Sequence, residues 1–204
     1  AEAGTTVTLF NGSTSLGTDT ADAAGNFSIT PSLELPDNSY TLTVKATDAL
    51  GNESEASEGL TIEIDTTAPS TPSISTTTVL TKFNTPTIEG TAEAGSAVEL
   101  FNGDTSLGTA TVESNGSFSI TTDELADDDY TLTVVATDEA GNPSEASSPL
   151  ALKIDTRAPD APVITTTTDL TNNPTPDIAG TAEAGSTVEL FNGCLLYTSP
   201  SPRD

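Results

Sequence analysis

Carboxylates are the only reactive groups this chain carries in quantity: 31 Asp and Glu stand against 5 Lys and Arg, with no His and a single Cys, Cys194. Without His, and with one thiol, the usual pairings of a nucleophile with a general base are missing. Two acids flanking a cleft can hydrolyse a glycosidic bond, and "TDELADDD" at 122–129 offers several. They crowd one short loop with no aromatic platform to hold a sugar, so no enzyme activity is expected. The formal charge of −26 repels phosphate backbones and anionic membrane surfaces, which argues against nucleic acid as a partner. No apolar run approaches the roughly 18 residues of a membrane span, so no membrane insertion is expected in this segment. Bound divalent cations would relieve such a field, and plain solubility is its other use.

The acids must be placed by a frame, and the frame repeats. "GTAEAGSAVELFNG" at 90–103 returns as "GTAEAGSTVELFNG" at 180–193, and the end of another copy opens the chain. Tyr40 and Tyr130, Gly51 and Gly141, and Asp65 and Asp155 lie 90 residues apart. Upstream, Gly4 and Gly95, like Phe27 and Phe118, lie 91 apart, which places a one-residue length change between Ile29 and Tyr40. Such a period exceeds that of solenoid repeats and suits tandem domains that fold independently. The expected modules are 1–65, lacking its first strands; 66–155, complete; and 156–193, the start of a third. The opening residues match the interior of later repeats, so any export signal is expected upstream.

Within the complete copy, alternation predicts strands at 72–80, 87–92, 97–101, 106–112, 117–121, 130–137 and 149–154. Seven short strands separated by turn residues point to a two-sheet sandwich, all-β. Ile88, Val98, Leu100, Leu107, Phe118, Ile120, Leu132, Val134, Leu152 and Ile154 would face inward. Asn-Gly after Phe101 and after Ser114 is the signal of a tight hairpin. Tyr130, behind the acidic run Asp127 to Asp129, stands where a tyrosine corner would tie a loop to the sandwich, or where a plain core tyrosine would sit.

The motifs "GTAEAGSxVELFNG", "SLGTATV", "YTLTVVATDEAGNPS" and "IDTTAP" together resemble the tandem bacterial Ig-like domains of large secreted adhesins and biofilm-associated surface proteins, over residues 1–193. The resemblance implies tandem immunoglobulin-like sandwiches, export to the bacterial cell surface, and a stalk that holds a binding tip away from the cell. It also implies calcium ions at the junctions between neighbouring modules. In an Ig-like sandwich the B–C and F–G loops share one end, and the E–F loop lies at the other, near the exit of strand G. The candidate metal ligands at the first junction are therefore Asp65, Glu93 and Asp138, with Asp37 reaching in from the first module. At the second junction they are Asp155 and Glu183, with Asp127 or Asp128 nearby; the matching F–G loop is missing there. The same carboxylates could instead cap turns by accepting backbone N–H bonds.

On this reading the region is a non-catalytic stalk or spacer of an adhesin whose target the sequence does not name. Two other readings stand beside it: an Ig-like module recognising a glycan or host protein through its end loops, and a linker region of a large secreted enzyme. The final residues, "CLLYTSPSPRD" at 194–204, break the repeat and resemble the conceptual translation of a transposon-end sequencing adapter. They are expected to lie outside the natural protein, which leaves the native segment free of cysteine.

Overall fold

A computed structural model describes residues 1–167, 170–192, 195 and 196. Cys194 and most of the tail read as foreign to the protein lie outside the described residues. No helix occurs among the described residues, and the chain divides into two compact units, Ala1–Ile154 and Asp155–Asp204.

The first unit opens with one sheet. β1 (Thr6–Asn11), β2 (Thr14–Thr20), β3 (Asn38–Thr47) and β4 (Leu60–Ile64) lie in the order β2-β1-β3-β4, every neighbour antiparallel. A full sandwich follows. β5 (Ser73–Ile74), β7 (Thr87–Thr91) and β10 (Ser117–Thr121) form a sheet in the order β10-β7-β5. β6 (Leu80–Thr81), β8 (Ala97–Asn102), β9 (Thr105–Thr111), β11 (Asp129–Thr137) and β12 (Leu150–Ile154) form the other, in the order β6-β12-β11-β8-β9. Ile88, Phe118 and Ile120 from the first sheet meet Val98, Leu100, Leu132, Val134, Leu152 and Ile154 from the second. Those nine are buried as alternation predicts, and Leu107 packs half-buried against them. Alternation also carries Ala136 into the core behind Val134, and Val112 joins just past the end of β9.

Two local readings are corrected. The strand predicted over 72–80 is broken: β5 pairs antiparallel with β7, and β6 then pairs parallel with β12 in the opposite sheet. Thr76 ends the first pairing, because its Oγ1 accepts the Glu89 N–H at 2.7 Å that a longer β5 would have satisfied through backbone. The chain is then free to cross. Of the two Asn-Gly turns, the first closes a tight hairpin as expected and the second does not. Asn102 pairs with Thr105, so the loop is Gly103-Asp104, with glycine first at φ 59° and no positive φ on the aspartate. That is the II′ arrangement rather than the I′ turn that Asn-Gly at the centre would make. At 115–116 the turn joins β9 to β10, which lie in different sheets, so it changes sheet instead of closing a hairpin.

Both tyrosine corners form. Tyr130 donates its hydroxyl to the Ala126 carbonyl at 3.0 Å and Tyr40 donates to that of Pro36 at 2.7 Å, tying the loop before β11 and before β3 to the strand it feeds.

The second unit repeats the sequence without repeating the fold. β13 (Val163–Ile164) pairs with β14 (Gly180–Thr181), and β15 (Phe191–Asn192) with β16 (Leu195–Leu196). Val188 and Leu190, in the same "VEL" that buries Val98 and Leu100 completely, are 60% and 59% exposed. Among the described residues of this unit no opposite sheet covers them.

Candidate functional site

Three of the acids open a recurring five-residue loop, Asp-x-x-Gly-Asn, found at 22–26, 48–52 and 138–142. In the third, Asp138 Oδ1 accepts the N–H groups of Gly141 at 2.7 Å and Asn142 at 2.8 Å, while Oδ2 accepts the Asn142 side-chain amide at 2.8 Å. Asp48 holds Asn52 the same way, at 2.8 Å from its backbone N–H and 2.7 Å from its amide. Asp22 holds Asn26 at 2.8 and 3.2 Å. The fourth residue is glycine because the loop needs φ of 83°, 88° and 97° at Gly25, Gly51 and Gly141. Hydrogen bonds from the paired Asn pull each of these three carboxyls below the ordinary value of 3.8, the backbone amide leading at Asp22 and the side-chain amide at Asp48 and Asp138.

One of these loops does something further. Asn142 donates its side-chain amide both to Asp138 and, at 3.1 Å, to the backbone carbonyl of Asp65, where β4 runs out into the segment joining the first two repeats. From the other side Asp37 grips the same segment. Its Oδ1 accepts the Thr66 N–H at 3.0 Å and hydroxyl at 2.7 Å, and its Oδ2 accepts the Thr67 hydroxyl at 2.7 Å. The Thr67 and Thr66 hydroxyls are the main cause of an Asp37 carboxyl that also lies below 3.8. Asp65 Oδ1 caps the turn by accepting the Thr67 N–H at 3.0 Å. Pro69 and Pro72, in the continuation of that segment, are buried. The linker is thus held by Asp37 of the first repeat and Asn142 of the second.

Of the expected metal ligands, Asp37, Asp65 and Asp138 therefore do gather around this junction, each already engaged with protein donors. Glu93 lies on an exposed turn where its backbone carbonyl accepts the Ser96 N–H at 3.2 Å and hydroxyl at 2.7 Å. Among the described residues no group of three or more carboxylates converges as a metal cage. Calcium takes 6–8 oxygens at about 2.3–2.6 Å, and the residues as arranged here do not fit it. In the second unit Asp155 Oδ1 accepts the Arg157 N–H at 3.2 Å and Glu183 Oε2 accepts the Asp160 N–H at 3.3 Å. Asp155 acts as a turn cap, whereas Glu183 holds a segment 23 residues before it in the chain. Asp128 Oδ1 likewise accepts its neighbour's N–H, from Asp129 at 2.8 Å.

The strand order and the paired modules find their counterpart in known sequences: the profile described as "Bacterial Ig-like domain" matches residues 1–66 and again 68–156. This chain belongs to the bacterial Ig-like domain family. It is 36% identical over 126 residues to Chitinase A1 of Niallia circulans, a match covering 56% of this chain and 17% of that protein's length. Among solved structures it is similar to a biofilm-associated protein BSP domain, at 25% identity and TM-score 0.37 over 77% of this chain and 26% of the other. It is also similar to the fibronectin(III)-like modules of Clostridium thermocellum CbhA, at 15% identity and TM-score 0.49 over 75% and 78%.

Two residues of this bacterial Ig-like sandwich escaped the sequence reading. Ser147, buried, sends its N–H to the Val134 carbonyl at 2.9 Å and accepts the Val134 N–H on its own Oγ at 3.0 Å. Ser144 does the same for Ala136, at 2.8 and 3.0 Å. One serine thus closes both bonds of a ladder rung before β12 begins. The spacing "SEAS", present at 54–57 and again at 144–147, was the available signal; Ser54 and Ser57 accept the Ala46 and Val44 N–H groups at 3.0 and 3.1 Å.

Proposed function

We propose that this chain is a non-catalytic spacer region of a bacterial surface or secreted protein, built to keep successive Ig-like modules in a held orientation. The observation that carries the reading is the two-sided grip on the 65–67 linker by Asp37 and Asn142. Four-residue connections leave hinge motion as the default unless something opposes it; here hydrogen bonds to the linker backbone and buried prolines oppose it, and each proline removes a φ freedom. Membership in the bacterial Ig-like family supports a structural role, and the acids at the junction are spent on protein donors. The protein is placed on this reading outside the cell or at its surface.

On this reading protein hydrogen bonds hold the junction, without requiring the calcium that the adhesin resemblance implies there. Small-angle scattering of the full chain tests it. The double variant D37A/N142A should broaden the distance distribution of the first two modules, whereas calcium and excess chelator should give superimposable profiles for the unmodified protein. Equal profiles for variant and parent would remove the grip from the argument. A calcium-dependent profile would show that the acids rearrange around the ion.

The chitinase relative favours a second reading, in which the same kind of spacer joins domains of a larger enzyme. The chain spans 17% of that protein's length, and the coding sequence flanking these residues decides between the two.

A further inference from the structure

The grip on the linker between the first two repeats is crossed. Asp65 leaves β4 of the first repeat, yet its carbonyl is held by Asn142 of the second, at 3.1 Å. Thr66 and Thr67 lie further along the chain towards the second repeat, yet both are held by Asp37 of the first, through bonds of 2.7, 2.7 and 3.0 Å. While the Asn142 bond holds, tension passes from module to module without straightening residues 66–72. While the Asp37 bonds hold, Thr66 and Thr67 cannot peel away from the first repeat. We propose, building on the held junction argued above, that this crossed clasp is a mechanical release: under tension it opens before the complete module unfolds, and it re-forms when tension falls.

The order of events follows from burial. Asp37, Thr66 and Thr67 are exposed, so water replaces their hydrogen bonds at small net cost as the clasp opens. Unfolding the complete module instead brings Val98, Leu100, Leu132 and Val134, all fully buried, into contact with water. Opening a few exposed contacts therefore comes well before global unfolding. Closure is prepared as well. Asp138 keeps its hold on the Asn142 backbone and side chain after the bond to Asp65 is lost, so the amide stays aimed and the modules need only approach again.

The length released has an upper bound. Residues 65–72 separate β4 from β5, and such a stretch spans at most about 29 Å when fully extended. Pro69 and Pro72 are buried, so the gain is smaller while they stay packed. Unfolding the complete module, from β5 to β12, releases several times that length, which separates the two events in one pulling record.

Optical tweezers on the full chain test this, with handles on T41C and T131C in a C194S background; both positions are exposed and lie on an inner strand, β3 and β11. The record should show a reversible lengthening below about 29 Å before the large unfolding step. D37A/N142A should abolish the small step. T66V/T67V, which removes two hydroxyl donors and leaves both gripping loops intact, should lower its force, with the force that unfolds the complete module unchanged in each variant. A record with no step before unfolding, or a step of the same force in both variants, would overturn the release. Scattering separates the two readings: if D37A/N142A alters the profile and the step is still missing, the release alone falls, whereas a profile equal to the parent's removes the held junction with it.

Discussion

Asp138 shows how a residue that looks like a ligand becomes a brace. Its two oxygens are filled by three donors of its own loop, and the same geometry recurs at Asp48 and Asp22. The last of these sits in a turn between β2 and residues 26–30, away from the linker, so the loop needs no neighbour to form. Only Asn142 carries it further, by lending its second amide bond to Asp65. The pH dependence follows. Asp37 and Asp138 titrate below 3.8 in the folded chain, so their contribution is complete above that value and is lost as pH falls through the depressed values. Scattering of the full chain should therefore show a constant junction from neutral pH down to about 4, then increased bending on further acidification; the D37A/N142A variant should bend equally at both. The acid types and the Gly-Asn spacing were legible in the sequence. Which atoms would fill the carboxylates was not, since the same oxygen can accept N–H bonds from a turn or donate a lone pair to a cation.

At the scale of the strand, the serines at 144 and 147 replace a stretch of β12 that has not yet begun. Each supplies a donor and an acceptor to one residue of β11, so truncating Ser147 to alanine leaves the buried Val134 N–H without a partner. The cost of such an orphaned group is about 1–3 kcal/mol, so S147A should destabilise the complete module by that order and lower its melting temperature, whereas S57A in the incomplete repeat should have a smaller effect. Differential scanning calorimetry of the full chain distinguishes the two. Alternation located nearly every strand and nine fully buried residues of the core. It missed the break between β5 and β6 because period two is blind to which sheet a strand joins; that choice depended on the Thr76 hydroxyl meeting the Glu89 N–H, a contact 13 residues distant in sequence.

For the molecule as a whole, 31 acids spread over sandwich surfaces and loops with 5 cations among them make self-repulsion the dominant long-range force. Raising salt from about 0.01 to about 0.15 M shortens the screening length from about 30 to about 8 Å, so the melting temperature of the complete module should rise over that range; a flat response would mean that the acids are too far apart to matter. The sequence by itself determined the period, the all-β class, the strands of the sandwich and the family, because each of these is written in local alternation, turn chemistry and self-similarity. Tertiary structure decided where burial happens and what the acids do. Val98 and Val188 stand in nearly identical sequence, yet one is fully buried and the other 60% exposed, because a hydrophobic face gains its stability only when an opposing sheet removes it from water.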